Sequence, residues 1–278
     1  MDHADPRYLL AKRSVDERAF ASAVQEAVQS RVPPAPRILE VGCGVGTTVP
    51  RLLEWGLEAF TYRGVDLDER AIAFARDAIP KELRREGHAV DPTPTGFRTA
   101  NATVEFAVDD ALAFLRTAPD ADLIVAQAFL DLVPIEPTVE AIESALAPGG
   151  VAYLPITFDG GTYFAPPHPD DQAVQQAYHA EIDETEGRES RAGRRLLELL
   201  ERRPGTLLAA RSADWIVRPG DQGYPLDERY FLERILSFVR SAVEPAYEDW
   251  LETRSRQLAA EELVYVAHQY DLAYQGPE

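Results

Sequence analysis

The chain reads as an α/β protein whose mostly parallel sheet carries helices on both faces. Two observations predict this. Apolar strand-like runs alternate with helix-period segments over residues 37–158, and the first strand runs into a glycine-rich turn with an acid at the end of the second strand. A length of 278 residues, 45% of them hydrophobic, suffices for one substantial core. No repeat, low-complexity tract or linker marks a second domain, so residues 1–278 are expected to form one unit.

The elements follow in order. Val15, Ala19, Ala23 and Ala27 recur every fourth residue, which predicts a helix over 15–30, ended by VPPAP at 32–36. RILEV (37–41) is a buried strand, GCGVG (42–46) a turn, and TTVPRLLEWG a helix closed by Gly56. Strands are expected at 61–66, 103–108, 122–127 and 151–158, with helices at 67–79, 110–116 and 136–146 between them. Residues 80–102 join a helix remnant to a loop holding Pro92, Pro94 and Gly96. Residues 159–190 are too long for a structureless loop, so a helix is expected within 171–183. A strand or bent hairpin strand over 206–219 follows. Helices over 228–242, with Asp227 as its cap, and 246–261 precede a last strand centred on LVYVAH.

Composition limits the partners. The net charge is −19, from 28 basic and 47 acidic residues, which repels nucleic acid and anionic membranes on average. No basic stripe with interleaved aromatics argues for nucleic acid as substrate. No apolar run reaches the roughly 18 residues of a membrane span, and no apolar signal stretch opens the chain. Cys43 is the one cysteine, so an internal disulfide is impossible and a reducing, cytoplasmic setting is expected. No histidine, cysteine and acid spacing forms a metal site. Nothing in the sequence specifies an oligomeric state.

The strongest local signal is ILEVGCGVGTTV (38–49). Glycines are needed where a strand turns sharply into a helix and a ligand meets the backbone. Asp66 stands 20 residues after Gly46, where a carboxylate accepts both hydroxyls of a nucleoside ribose. The dinucleotide pattern has gaps of one and two residues between its glycines. Here both gaps are one residue, and Glu40 precedes them.

This arrangement resembles the first motif of class I S-adenosylmethionine-dependent methyltransferases. The resemblance continues in order through GVDLDERAIAFAR (64–76), VDDALAFL (108–115), DLIVAQAFLDLV (122–133) and ALAPGG (145–150), about 120 residues in all. It implies a Rossmann-like fold with a mostly parallel seven-stranded sheet, helices on both faces and inserted lid segments. It also implies S-adenosylmethionine as cofactor. Gly42, Cys43, Gly44 and Gly46 would then carry the methionine moiety and Glu40 would orient the loop. Asp66 would hold the ribose, with Leu67 beside the adenine. Asp109 or Asp110 would meet the adenine amino group, with the Ala111 N–H near it; Asp110 is equally a helix cap. Gln127 and Ala128 would border the donor. Residues 1–31 would form an N-terminal helical cap from which Arg13 meets the methionine carboxylate.

Segments 159–190 and 228–262 are expected on the substrate side. Asp131 and Asp159 are the first carboxylates after the fourth and fifth strands, where an open α/β sheet meets its ligand. Phe129, Tyr163, Phe164 and Trp215 are candidate walls for an acceptor, with Gly160 and Gly161 letting the segment swing over it. Asp131 is the expected catalytic acid nearest the methyl, and His268 the alternative base. The competing account makes Asp131 a turn cap and His268 a satisfied core histidine.

The function this predicts is methyl transfer to a small organic acceptor. A protein methyltransferase, another sulfonium-using transferase and a non-catalytic S-adenosylmethionine-binding regulator stay open at this stage. Only Lys12 and Lys81 are lysines, which with the acidic excess suits a protein adapted to salt. Thermal scans test this: the melting temperature should rise between about 0.1 and 2 M KCl as repulsion is screened. A flat profile would assign the composition to a GC-rich genome instead.

Overall fold

In a computed structural model, residues 5–118, 120–243 and 247–278 are described. Residues 1–4 of the expected cap and 244–246 of the expected C-terminal addition, including the first residue of the helix anticipated at 246–261, lie outside them.

Helices α1 (Pro6–Ala19) and α2 (Ser22–Gln29) lead into β1 (Arg37–Val41), α3 (Thr48–Glu54), β2 (Phe60–Asp66) and α4 (Glu69–Arg85). A hairpin, β3 (Asp91–Thr93) and β4 (Gly96–Arg98), precedes β5 (Ala102–Val108), α5 (Ala111–Thr117), β6 (Ala121–Val125), α6 (Ile135–Ala145) and the long β7 (Leu146–Ala165). Then come α7 (Asp171–Glu184), α8 (Ala192–Glu201), β8 (Thr206–Ser212), β9 (Trp215–Val217), α9 (Leu226–Ala242), α10 (Glu248–Ala259) and β10 (Val264–Gln275).

The sheet order is β3-β4-β5-β2-β1-β6-β7-β10-β8, with β9 also pairing β10. Seven of these strands, from β5 through β8 in that order, form the expected core, and the rest are additions. Strands β5, β2, β1, β6 and β7 run parallel, and β10 returns antiparallel between β7 and β8. Apolar residues cover both faces. One face packs Ile38, Leu52, Ile72 and Phe106, and the other packs Leu39, Leu115, Ile124 and Leu196. A third cluster, around Phe231, Trp250 and Tyr265, joins α1, α9, α10 and β9 into a layer over the carboxyl side of the sheet.

The structure departs from the sequence reading in four places. The expected 15–30 helix is two helices, because Phe20 and Ala21 are extended and the Ala21 N–H donates to the buried carboxylate of Asp271. Residues 80–85 end α4 as the expected helix remnant, but the loop that follows holds a hairpin that extends the sheet antiparallel to β5. The DGGTYFA segment does not swing as a flap. It continues β7 and pairs with β10 as far as Ala165, since its alternating side chains find a partner strand there. Asp227 does not cap α9; it lies in the first turn, ion-paired with Arg7 at 2.7 Å, while Pro225 stands at the cap. No helix among the described residues is long and apolar enough to cross a membrane.

Gly46 shows why the turn after β1 needs glycine. Its φ is +78°, and a Cβ there would sit 2.8 Å from the Phe106 ring and 3.3 Å from Ala75. It therefore fixes how closely α3 and α4 approach the sheet. Gly46→Ala should lower stability by about 1–3 kcal/mol through left-handed backbone and overpacking. Thermal denaturation checks this, and an unchanged melting temperature would contradict the packing.

Candidate functional site

A cavity of about 580 Å³ lies over the carboxyl ends of β1, β2, β5 and β6, roofed by α1, α7 and α9. That volume is in the range of small-ligand pockets. One end is built from main chain. Gly42 and Gly44 have φ of +65° and +51°, and the Phe129 ring fills the space a side chain at Gly42 would occupy. Asp66, the last residue of β2, braces this turn: its Oδ2 accepts from the Gly44 N–H at 2.9 Å and its Oδ1 from the Asp68 N–H at 2.9 Å.

Glu40 lies beneath the same turn, 2% exposed, and accepts from the Thr48 hydroxyl at 2.7 Å and from the Tyr62 hydroxyl. Burial pushes its carboxyl up to about 7 against the pull of those two hydrogen bonds. Cys43 and Val45 complete the turn's contact with the cavity. Leu67, 71% exposed, stands at its rim with Asp109, Asp110 and Ala111. Asp110 caps α5 by accepting from the Ala113 N–H at 2.8 Å, and Asp109 accepts from the Asp110 N–H at 2.9 Å.

The middle of the cavity is a hydrogen-bonded cluster. Asp16, on α1, accepts from Lys12 Nζ, from Gln127 Nε2 and from Trp215 Nε1, each at 2.8 Å. Gln127 Oε1 accepts in turn from Arg51 at 2.6 Å. Two non-glycine residues hold left-handed backbone here, Ala128 at φ +49° and Ile156 at φ +58°. For β-branched Ile156 this is a strained conformation that its surroundings must enforce. Asp271 does so: it accepts from the Ile156 N–H at 2.8 Å, and burial pushes its carboxyl up to about 6.

At the far end stands Asp131. Its Oδ1 is sealed from solvent with no hydrogen-bond partner among the described residues, and burial pushes the carboxyl up to about 6. Phe158, Tyr178, Ile182, Phe238 and Tyr265 give this end apolar walls.

The cavity therefore brings together Glu40, Gly42, Cys43, Gly44, Asp66 and Leu67 with Asp109, Asp110, Ala111, Gln127 and Ala128. Phe129, Asp131 and Trp215 line it as well. Six expectations are corrected. Gly46 packs on Phe106 and does not reach the cavity. Arg13 faces away from it, bound to Glu17 and Glu82 at 2.7 and 2.5 Å, because one residue of helix turns it about 100° from Lys12. Asp159 is buried on Arg194, which meets it through its N–H and guanidinium at 2.7–3.0 Å. Tyr163 points out of β7 and is 57% exposed, and Phe164 packs on Trp250 and Tyr265. His268 meets Asp214 at 2.7 Å, because alternation along β10 turns Tyr265 and Gln269 to the cavity and His268 away.

Residues 39–152 match the family model of a methyltransferase domain. That match, from β1 into β7, takes in the glycine turn and Asp66 and covers less than half of the chain. Among curated proteins, a dTDP-3-amino-3,4,6-trideoxy-α-D-glucopyranose N,N-dimethyltransferase of Streptomyces venezuelae is 34% identical over 93 residues. That match takes in 33% of this chain, and the chain spans only 38% of that relative's length. Two solved structures share the methyltransferase fold. A Bacillus halodurans C-125 protein solved as a candidate methyltransferase aligns at TM-score 0.53 and 14% identity, over 93% of this chain and all of that one. An S-adenosylmethionine-dependent methyltransferase from Methanosarcina mazei aligns at TM-score 0.50 and 15% identity, over 90% and 96% of the two chains.

The glycine cradle, the Asp66 carboxylate at the end of β2 and the exposed face of Leu67 fit the methionine, ribose and adenine parts of the methyltransferase cofactor. Asp66→Ala removes a charged acceptor and a brace of the turn together. It should weaken S-adenosylhomocysteine binding by roughly 2–3 kcal/mol, measured by calorimetric titration. Unchanged affinity would remove Asp66 from the ribose site.

Proposed function

We propose that the protein transfers a methyl group from S-adenosylmethionine to a small organic acceptor. The carrying observation is that one roofed cavity joins the glycine turn and Asp66 to an apolar end closed by Asp131. The roof of α1, α7 and α9 leaves a space of the size of a compact molecule. The Streptomyces relative, named for methylating the amine of a small nucleotide sugar, supports the same substrate class. The single cysteine and acidic surface agree with a cytoplasmic protein that does not bind nucleic acid. In this reading residues 1–278 form one methyltransferase domain, with 1–31 as its cap and 159–190 and 228–262 as substrate-side additions.

Bound S-adenosylmethionine supplies an electrophilic methyl group on a positively charged sulfur. Gly42 to Val45 and Asp66 position it, and Lys12, rather than Arg13, is the cation that meets its carboxylate. Asp16 uses one of the three Lys12 N–H donors, leaving two. The cavity walls align the acceptor lone pair with the carbon–sulfur bond, a contribution that alone lowers a displacement barrier substantially. As the new bond to carbon forms, the carbon–sulfur bond breaks and sulfur keeps its electron pair. The acceptor O–H or N–H proton passes to the carboxylate of Asp131, which lines the cavity. A carboxyl raised to about 6 is mostly ionised at neutral pH and binds protons more tightly than an ordinary aspartate, which suits a general base.

Asp131→Asn separates this role from a structural one. Labelled S-adenosylhomocysteine formed in the presence of a metabolite extract should fall by about 100-fold or more, the scale of a lost general base, with cofactor affinity unchanged. Stability should move the other way. Because folding raises this carboxyl, its penalty is absent below the unfolded value near 3.8 and complete above about 6. The variant should therefore melt higher than wild type at pH 8 and at a similar temperature at pH 4. Retained turnover would remove Asp131 from the reaction, and absence of extract-dependent turnover in wild type would favour a non-catalytic binding protein.

A further inference from the structure

The charged groups around the cavity are almost all committed. Lys12 is bound to Asp16, and both oxygens of Asp16 are taken by Trp215, Gln127 and Lys12. Glu40 is held by Thr48 and Tyr62, Asp66 by two backbone N–H groups, and Asp110 by its helix. At the apolar end two charges remain. Asp131 Oδ1 is sealed and unpartnered, and the guanidinium of half-buried Arg188 makes no hydrogen bond or ion pair among the described residues. The two side chains line the same cavity, and the charge of Arg188 favours the ionised form of Asp131, yet they do not pair.

Arg188 is not on a loose loop. The segment joining α7 to α8 is closed by Asp183, which accepts from the Ser190 N–H at 2.6 Å and the Ser190 hydroxyl at 2.9 Å. It is docked on the Asp131 turn by the Glu189 N–H, which donates to the Asp131 carbonyl at 3.2 Å. Gly187, at φ +82°, lies flat against Pro134, where a Cβ would approach within 3.1 Å. The fold thus carries a cation to the acceptor end and leaves its donors open, on the same cavity as the Asp131 carboxylate. The guanidinium is left to solvent or to a ligand, and its planar donors match a carboxylate.

We propose that the methyl acceptor is a small, largely apolar molecule bearing a carboxylate that Arg188 binds and an O–H or N–H nucleophile that faces Asp131. Phe158, Tyr178, Ile182, Phe238 and Tyr265 surround its body. The proposal rests on the methyl-transfer reading of the cavity.

The test uses the full-length protein saturated with S-adenosylhomocysteine, whose affinity is measured first. Two matched probe pairs are then titrated by ligand-observed NMR: 4-hydroxybenzoate against 4-methylphenol, and 4-aminobenzoate against 4-methylaniline. Wild type should bind the carboxylated member of at least one pair roughly tenfold or more tightly than its neutral partner, the scale of one charge-assisted contact. Arg188→Gln should erase that preference while its affinity for S-adenosylhomocysteine stays within about twofold of wild type. Equal binding of both members in wild type, binding of neither, or a preference that survives in Arg188→Gln overturns the proposal. A variant that loses affinity for S-adenosylhomocysteine also overturns it, because Arg188 then serves the methionine carboxylate. A wild type that does not bind S-adenosylhomocysteine removes the methyl-transfer reading itself, and this proposal with it.

Discussion

The carboxylate of Asp16 sits 4% exposed at the meeting point of three elements and accepts a hydrogen bond from each. Lys12 reaches it from the same helix, Gln127 from the end of β6, and Trp215 from β9. A buried carboxylate is tolerable only when its oxygens are satisfied, so the three donors are obliged to converge. Their convergence pins α1 above the sheet at the height of one layer of side chains. The Lys12 ammonium also lies 5.3 Å from the centre of the Trp215 ring, which orients both groups. Among the described residues this anchor is the polar tie of α1 to the carboxyl end of the sheet, while Tyr8, Ala11 and Val15 hold the helix in the apolar layer with α9.

Asp271 performs the matching task from the sheet side. Fully buried on β10, it takes one N–H from Ile156 in β7 and another from Ala21 at the break between α1 and α2. The first bond holds a β-branched residue in a conformation it would otherwise leave. The second sets where the N-terminal segment changes direction. Two buried acids thus brace the cavity through saturated hydrogen bonds, while Asp131, left without a partner on Oδ1, is the base of the proposed reaction.

The parallel half of the fold was legible because each of its strands, β1, β2, β5, β6 and β7, is announced by an apolar run and a turn. The cofactor end was legible because glycines and an acid at fixed spacing are a local requirement. The acceptor end was not, because it depends on parity. On α1 the residues that face inward are Tyr8, Lys12 and Asp16, four apart, and this stripe was present in the sequence although Arg13 was the expected ligand. On β10 the choice between His268 and Gln269 is a choice of face. It is fixed only by register with β7, including a shift between those two residues. Asp159, Tyr163 and Phe164 were misplaced for a related reason: two glycines in sequence look like a hinge, and here they lie inside a paired strand. Arg188 carries no local signal, since its place follows from how the α7–α8 connection docks on Pro134.

The hairpin at one end of the sheet has a consequence for the protein in crowded solution. An open sheet ends in unpaired N–H and C=O groups that can template strands from other molecules. Here the outermost strand on that side, β3, is three residues long and contains Pro92, which has no N–H to offer, beside the charged Asp91. The opposite edge, β8, packs near α2 and α8 and ends in Arg211 and Ser212, both exposed. Neither border presents a long, flat, apolar ladder. A ten-stranded sheet is therefore kept from edge-to-edge aggregation by the shape and chemistry of its borders, with the strongly negative surface adding a general repulsion between molecules.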